Sequence, residues 1–223
     1  NEEHHSFLGQ PLRGDEFLYA LKIARIGSSP GLDGLPWVFY SQFWQLLCVD
    51  FMDMMKCSFE NQEFTDSFSQ GVITLIYKKG DESDLQNWRP ISLLNVDYKL
   101  IAKVLAHRFS LILRAYIHPD QTCAIKGRTI TDSLTTLRDI LWYNCERDIP
   151  VGVLSLDFQK AFDRVSHRFL FTVLRKLNVP SSVISMISTM YKRANSRVSI
   201  NGFLSDVLFI QAGVRQGCPM FPA

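Results

Sequence analysis

The sequence predicts an α+β fold, and three patterns carry that reading. Apolar residues recur at helical spacing, most clearly Phe39, Phe43, Leu46, Leu47, Phe51, Met54 and Met55 within residues 37–59. Two apolar runs, residues 72–77 and 151–156, have the length and composition of strands. Asn201-Gly202 is a hairpin-turn signal between strand-like runs at 197–200 and 207–210.

Composition bounds the function classes. At 223 residues the chain can bury a sizeable core, and 47% apolar with 21% charged residues describes an ordered protein. No uninterrupted apolar run reaches the ~18 residues of a membrane helix, so no membrane partner is expected. The N-terminus, Asn1-Glu2-Glu3-His4-His5, is unlike a secretory leader, and the absence of an initiator Met reads as a fragment. Cys48, Cys57, Cys123, Cys145 and Cys218 are odd in number and form no Cys-x-x-Cys pair. That argues against a disulfide framework, a disulfide-linked partner or a zinc site, and fits a reducing compartment. Most of these thiols are expected to be small buried apolar groups. The five histidines show no ligand spacing. A net charge of +2 does not suggest nucleic acid, but its distribution does. Residues 164–205 contain Arg164, Arg168, Arg175, Lys176, Lys192, Arg193 and Arg197 and no Asp or Glu. Such a one-signed surface suits a phosphate backbone, the plainer alternative being a solvated basic face.

In chain order, residues 15–26 read as a helix capped by Asp15, with Phe17, Leu18, Leu21 and Ala24 on one side. Gly27-Ser28-Ser29-Pro30-Gly31 breaks it, and Pro36 suits the first turn of the next helix, whose aromatic stripe reads as core. The strand at 72–77 turns through Lys78-Lys79-Gly80-Asp81 and returns from Asn87-Trp88-Arg89-Pro90. A hairpin with Lys on one arm and Arg on the other can clamp a triphosphate, or simply carry surface charge. Residues 98–113 form a helix with Lys99, Lys103, His107, Arg108 and Arg114 around an apolar stripe, stopped at His118-Pro119. Lys126-Gly127-Arg128 lets amides and cations approach a phosphate together, or is a basic connection. After a helix at 131–146, Val151, Val153, Leu154 and Leu156 read as a buried strand of a mixed sheet ending on Asp157. A carboxylate at that lip either caps a following helix or meets a cation such as a divalent metal, and the residues alone leave both open. Helices at 166–177 and 180–192 follow, and the last strands lead to Gln211–Ala223.

Leu154-Ser-Leu-Asp157-Phe158-Gln-Lys-Ala-Phe162-Asp163 resembles the first carboxylate motif of reverse transcriptases, in the form used by non-LTR (LINE-type) retrotransposons. Other blocks resemble that family in its own order. Pro30-Gly31-Leu32-Asp33-Gly34 is similar to the block before the fingers. Lys78-Lys79-Gly80-Asp81 and Asn87-Trp88-Arg89-Pro90-Ile91-Ser92 are similar to the two fingers motifs. Gln121 with Lys126-Gly127-Arg128 resembles the template loop, and Gly213-Val214-Arg215-Gln216-Gly217-Cys218-Pro219 the second palm motif. The resemblance implies roles for single residues. Asp157 would be the catalytic ligand of both metals, and Phe158 would lend them a backbone carbonyl. Phe162 would be the gate against a ribose 2′-hydroxyl. Asp163 matches a further family acid that is not a metal ligand, and reads here as the N-cap of the next helix. Lys78 or Lys79, with Arg89, would hold the nucleotide's phosphates, and Gln216 and Gly217 would lie against the nascent base pair. Gln121, Lys126, Gly127 and Arg128 would lie along the template. Phe221 departs from the pattern, standing where family members carry a small hydroxyl residue.

What the resemblance implies overall is a right-hand polymerase fold: residues 1–29 as an N-terminal helical extension, and 30–223 as fingers and partial palm in one domain. The activity would be that of an RNA-directed DNA polymerase, using two Mg²⁺ ions or Mn²⁺ in their place. Its partners would be an RNA template, a DNA primer and deoxynucleoside triphosphates, within a ribonucleoprotein of nucleus and cytoplasm. Two ions ~3.5–4 Å apart stabilise both the attacking and the leaving oxygen of such a transfer. The family takes its remaining metal ligand from an Asp-Asp hairpin downstream of the Gln-Gly motif, and no Asp-Asp pair occurs in this sequence. The expectation is a polymerase fragment without that hairpin or the thumb, inactive as it stands, with an open palm-sheet edge. The alternative is a non-catalytic, nucleic-acid-binding remnant.

Overall fold

Helices and a small mixed sheet share one core in the computed structural model, which describes residues 2–220. α1 (Glu2–Gly9) and α2 (Gly14–Lys22) come first. The cap of α2 is Arg13 and not the expected Asp15. The Arg13 amide donates to Glu16 at 2.9 Å, while Asp15 sits in the first turn and pairs with the Arg13 guanidinium. α3 (Trp37–Glu60) starts directly after Pro36, whose fixed φ suits a helix entry. Its buried face is Trp37, Tyr40, Trp44, Phe51 and Met55, and Phe51 meets Phe17 edge-on at 5.3 Å. Phe43 and Leu46, counted with the stripe from sequence, are exposed.

α4 (Asp66–Ser69) leads into β1 (Gln70–Tyr77), which returns antiparallel as β2 (Trp88–Leu94). α5 (Val96–Ile112) follows from the N-cap Asn95, two residues earlier than expected, and buries Tyr98, Leu100, Ile101, Val104 and Leu105. Beyond it lie α6 (Ile130–Glu146), α7 (His167–Lys176) and α8 (Ser181–Lys192). β3 (Asn195–Ile200), β4 (Phe203–Leu204) and β5 (Leu208–Phe209) complete the sheet. Strand order is β2-β1-β3-β4, with β5 also paired to β3, and the β1–β3 pair is parallel. Asn201 and Gly202 both take positive φ, 51° and 84°, the backbone a two-residue type I′ turn needs. The return arm is shorter than expected because Ser205 interrupts it, its hydroxyl accepting from the Val198 amide at 2.9 Å.

The largest correction concerns residues 151–156. They form no strand, and Leu154 and Phe158 are 81% and 78% exposed. β1 has both edges occupied, by β2 and β3, and β3 carries β4 and β5 on its other side. An apolar run becomes a buried strand only where a ladder partner and a covering layer exist, and among the described residues this run has neither. α6 likewise buries none of its residues. Apolar surface is therefore open at this unladdered segment, and also on the edge strands, where Phe203 of β4 and Phe209 of β5 are 81% and 69% exposed. A second correction concerns the cysteines. Only Cys218 is buried, while Cys57, Cys123 and Cys145 are exposed, and all five are free thiols.

The Pro30–Gly34 loop is fastened to the start of α5. The Lys99 ammonium donates to the carbonyl of Ser29, just before the loop, at 2.9 Å, and the Asp33 amide donates to the Asn95 side-chain oxygen at 3.5 Å. Burial, with a smaller push from Asp33, raises the Asp97 carboxyl to about 7. An acid raised in the folded state binds more protons there than when unfolded. Stability therefore falls as pH rises from about 4 to about 7, and is flat above. Asp97→Asn is expected to stabilise the chain by about 1–2 kcal/mol at pH 8, since α5's first-turn amides offset part of the burial cost, and by nothing near pH 3. Urea melts at the two pH values check this.

Candidate nucleotide and nucleic-acid site

The β1–β2 register places the two arms of the predicted clamp. Ile76 lies opposite Arg89 and Thr74 opposite Ile91, so these four share one face of the hairpin. Strand alternation extends that face to Lys78, whose amide donates to the Asn87 carbonyl at 2.9 Å. Lys79 falls in the turn beyond. The backbone thus distinguishes two lysines that the sequence did not. The Tyr77 and Trp88 rings meet at a tilt, their centroids 5.4 Å apart, on the other face. The Tyr77 hydroxyl donates to the Gly80 carbonyl and the Trp88 indole to the Glu82 carbonyl, so the tip is held by its own side chains.

The Gln-Gly turn docks on this hairpin from far along the chain. The Ser92 amide donates to the Gln216 carbonyl at 2.6 Å. Gly217, at φ 115°, rests on the Ser92 carbonyl so closely that any Cβ would overlap it. The Gln216 side-chain amide donates to Asp163 at 3.0 and 3.3 Å. Asp163 therefore orients Gln216 and does not cap α7; the cap is Ser166. The same two segments meet along their backbones. Gly213 and Val214 donate to the Val165 and Phe162 carbonyls at 2.7 and 3.1 Å, and a Cβ on Gly213 would lie 2.8 Å from the Asp163 carbonyl oxygen. Phe162, half exposed, sits at this junction.

Arg215, beside Gln216, is a residue that sequence reasoning missed. Arg215 is 5% exposed, and its guanidinium donates to the Ser69 carbonyl at 2.8 Å and lies over the Tyr98 ring at 4.4 Å. It ties the Gln-Gly turn to the end of α4, just before β1, and to α5, and the turn motif alone does not indicate burial of this cation.

A cleft of about 1220 Å³ runs along the Thr74–Ile91 face to Gly217 and Pro219. Its far wall carries Arg25, Lys99, Lys103 and His107, and no Asp or Glu lines it. Burial lowers the pKa of Lys103. The signal was present in the sequence, because 99, 103 and 107 are successive i+4 positions on one helix face, but it read as a general basic helix.

The loop expected to lie along a template behaves differently. Gln121, Lys126 and Gly127 are exposed. Arg128 folds back and donates to the carbonyls of His118, Gln121 and Ile117 at 2.6, 2.8 and 3.0 Å. It thereby satisfies carbonyls after α5 that have no helical partner. Asp157 and Phe158 are exposed on the segment without a ladder. Among the described residues no three His, Cys, Asp or Glu side chains come together to hold a metal ion. One exposed carboxylate and one carbonyl do not make the hard-oxygen shell a divalent ion requires, so the residues present do not fit a metal centre. Phe221 lies outside the described residues. No helix among them is long and apolar enough to cross a membrane.

Comparison with known proteins gives the same answer as the motifs. The family described as Reverse transcriptase (RNA-dependent DNA polymerase) matches residues 76–223. A Xenopus laevis protein, the transposon TX1 uncharacterized 149 kDa protein, is 39% identical over 99% of this chain and 17% of its own length. A Popillia japonica Pol polyprotein from the type-1 retrotransposable element R2 is 31% identical over 67% of this chain and 21% of its own length. The probable RNA-directed DNA polymerase from transposon BS of Drosophila melanogaster is 24% identical over 96% of the chain. The chain spans about a fifth of the length of these curated relatives.

Proposed function

The chain belongs to the reverse transcriptase family, and from that premise we propose that it is the nucleotide- and template-holding part of a non-LTR retrotransposon's RNA-directed DNA polymerase. The family generally uses divalent metal ions. The observation that carries the reading is the docking of Gln216-Gly217 on Ser92, which joins the hairpin and the Gln-Gly turn from 124 positions apart in sequence. In this reading β1–β2 is the fingers hairpin of a right-hand polymerase, and the segment around Asp163 and Gln216 belongs to its palm.

The chain's own residues account for binding and orientation. Arg89 offers a planar fork and Lys78 a mobile point charge to a triphosphate on their shared face. Gln216, held by Asp163, and Gly217, with no side chain, make a flat seat for a base pair. Phe162, half exposed beside the Gln-Gly turn, is assigned the gate against a ribose 2′-hydroxyl. The basic cleft takes the RNA strand that leaves the seat, with Lys103 and Arg25 on its phosphates, while Gln121, Lys126 and Gly127 border its continuation. Arg128 acts by holding that loop. Asp157 is proposed as a metal-binding carboxylate, insufficient alone, so no nucleotidyl transfer is assigned to the 223-residue chain itself. The second reading, a nucleic-acid-binding remnant without catalysis, shares these contacts and is favoured for this chain by the exposed, isolated position of Asp157.

Arg89→Ala is expected to weaken deoxynucleoside triphosphate binding about 10- to 100-fold, the value of a charge-assisted fork. Lys79→Ala is expected to change it less than Lys78→Ala. Calorimetric titration of the full chain with a triphosphate checks both. Equal binding by wild type and Arg89→Ala would remove the hairpin from the site.

A further inference from the structure

We propose a second phosphodiester-binding site on the α7–α8 helical pair, separate from the basic cleft. The inference rests on the reading of the chain as a nucleic-acid-handling segment. A concavity of about 650 Å³ lies between these helices, and no Asp or Glu lines it. Arg175 at the end of α7 and Lys192 at the end of α8 supply cations at its rim. Between them Ser181, Ser185 and Ser188 stand at i, i+4 and i+7 of α8, a single face of hydroxyls. A line of hydroxyl donors flanked by cations fits a run of phosphates and reads no base.

The neighbouring charges are arranged to keep the site positive. Glu63 and Asp66 are the carboxylates beside it, and both pair with Arg193, at 2.6 and 3.3 Å. The Lys192 ammonium donates to the Gln62 carbonyl at 3.3 Å, which fixes it at the rim without neutralising it. Arg193 therefore acts as a charge mask: without it two carboxylates would stand unpaired near the Gln62 end of the concavity.

The test is fluorescence anisotropy of the full chain with an RNA duplex, a DNA duplex of the same sequence and a single-stranded RNA, over a range of salt. Arg175→Gln/Lys192→Gln is expected to weaken duplex binding about 10-fold near 100 mM salt, and to flatten the log–log salt slope by about 1.8, two phosphate contacts' worth. Arg175→Lys/Lys192→Arg should retain wild-type binding, and Arg193→Gln should weaken it in the same direction through unmasked Glu63 and Asp66. A loss confined to the RNA duplex assigns the site to RNA, and one confined to the DNA duplex to DNA. Wild-type affinity and slope on both duplexes, in a double variant that melts like the parent, would overturn the proposal. In that case Arg25→Gln/Lys103→Gln losing single-stranded RNA would still support the cleft reading. Failure of the wild type to bind any of the three probes would sink the functional reading itself.

Discussion

Arg108→Ala is expected to lower the unfolding free energy by about 3–5 kcal/mol, the cost of breaking a buried ion pair from one side. The Arg108 side chain is 4% exposed, and its fork meets both carboxylate oxygens of Glu16 at 2.6 Å. Its remaining donors reach the carbonyls of Leu8, Gln10 and Pro11. One guanidinium thus ties the α1–α2 connection and the start of α2 to α5, across about a hundred positions of sequence. Removing it leaves the buried Leu8 carbonyl, the part-buried Gln10 and Pro11 carbonyls and the Glu16 carboxylate without their donors. Arg108→Lys keeps the charge but not the fork, and should recover only part of the loss. The pH dependence follows from Glu16. Burial would raise its carboxyl, but hydrogen bonds from Arg108 and the Arg13 amide hold it below the ordinary value. A depressed acid contributes stability above its unfolded pKa, and that contribution is lost as pH falls through the folded one. The difference between wild type and Arg108→Ala in urea melts should therefore narrow below about pH 4.

Gly217→Ala is expected to cost about 2–4 kcal/mol and to abolish matched-nucleotide binding together. A φ of 115° is strained for any L side chain, and a Cβ would overlap the Ser92 carbonyl, part of a strand and unable to yield as a side-chain tip would. The turn must lift off β2, breaking the Ser92–Gln216 bond and releasing Gln216 from Asp163. Ser92→Ala is the matched control, since it keeps the backbone contact and should leave binding near wild type. Thermal melts and triphosphate titration, run side by side, separate the loss of fold from the loss of the seat.

Local chemistry made much of this structure legible in advance. The aromatic stripe of α3, the β1–β2 hairpin and the Asn201-Gly202 turn are specified by residues near one another. What was not legible depends on distant partners. The parallel pairing of β1 with β3 leaves no local trace, because nothing in residues 195–200 names 70–74 as a neighbour. The apolar run at 151–156 reports hydrophobicity but not whether anything covers it, so a buried strand was expected where the chain is exposed. Charged side chains were the least legible. Arg89, Arg108, Arg128 and Arg215 look alike in sequence, yet Arg108 and Arg215 are buried fasteners, Arg128 clasps the carbonyls of its own loop, and Arg89 stands exposed on the hairpin face.

The most direct measurement is the affinity of the full chain for an RNA template annealed to a dideoxy-terminated DNA primer, with the matching or a mismatched deoxynucleoside triphosphate present. The matched nucleotide should tighten the complex by about 10-fold, roughly 1.4 kcal/mol, and Arg89→Ala and Gly217→Ala should both erase the difference. Equal affinity with matched and mismatched nucleotides in the wild-type chain would contradict the assignment of this surface as the nucleotide and template seat.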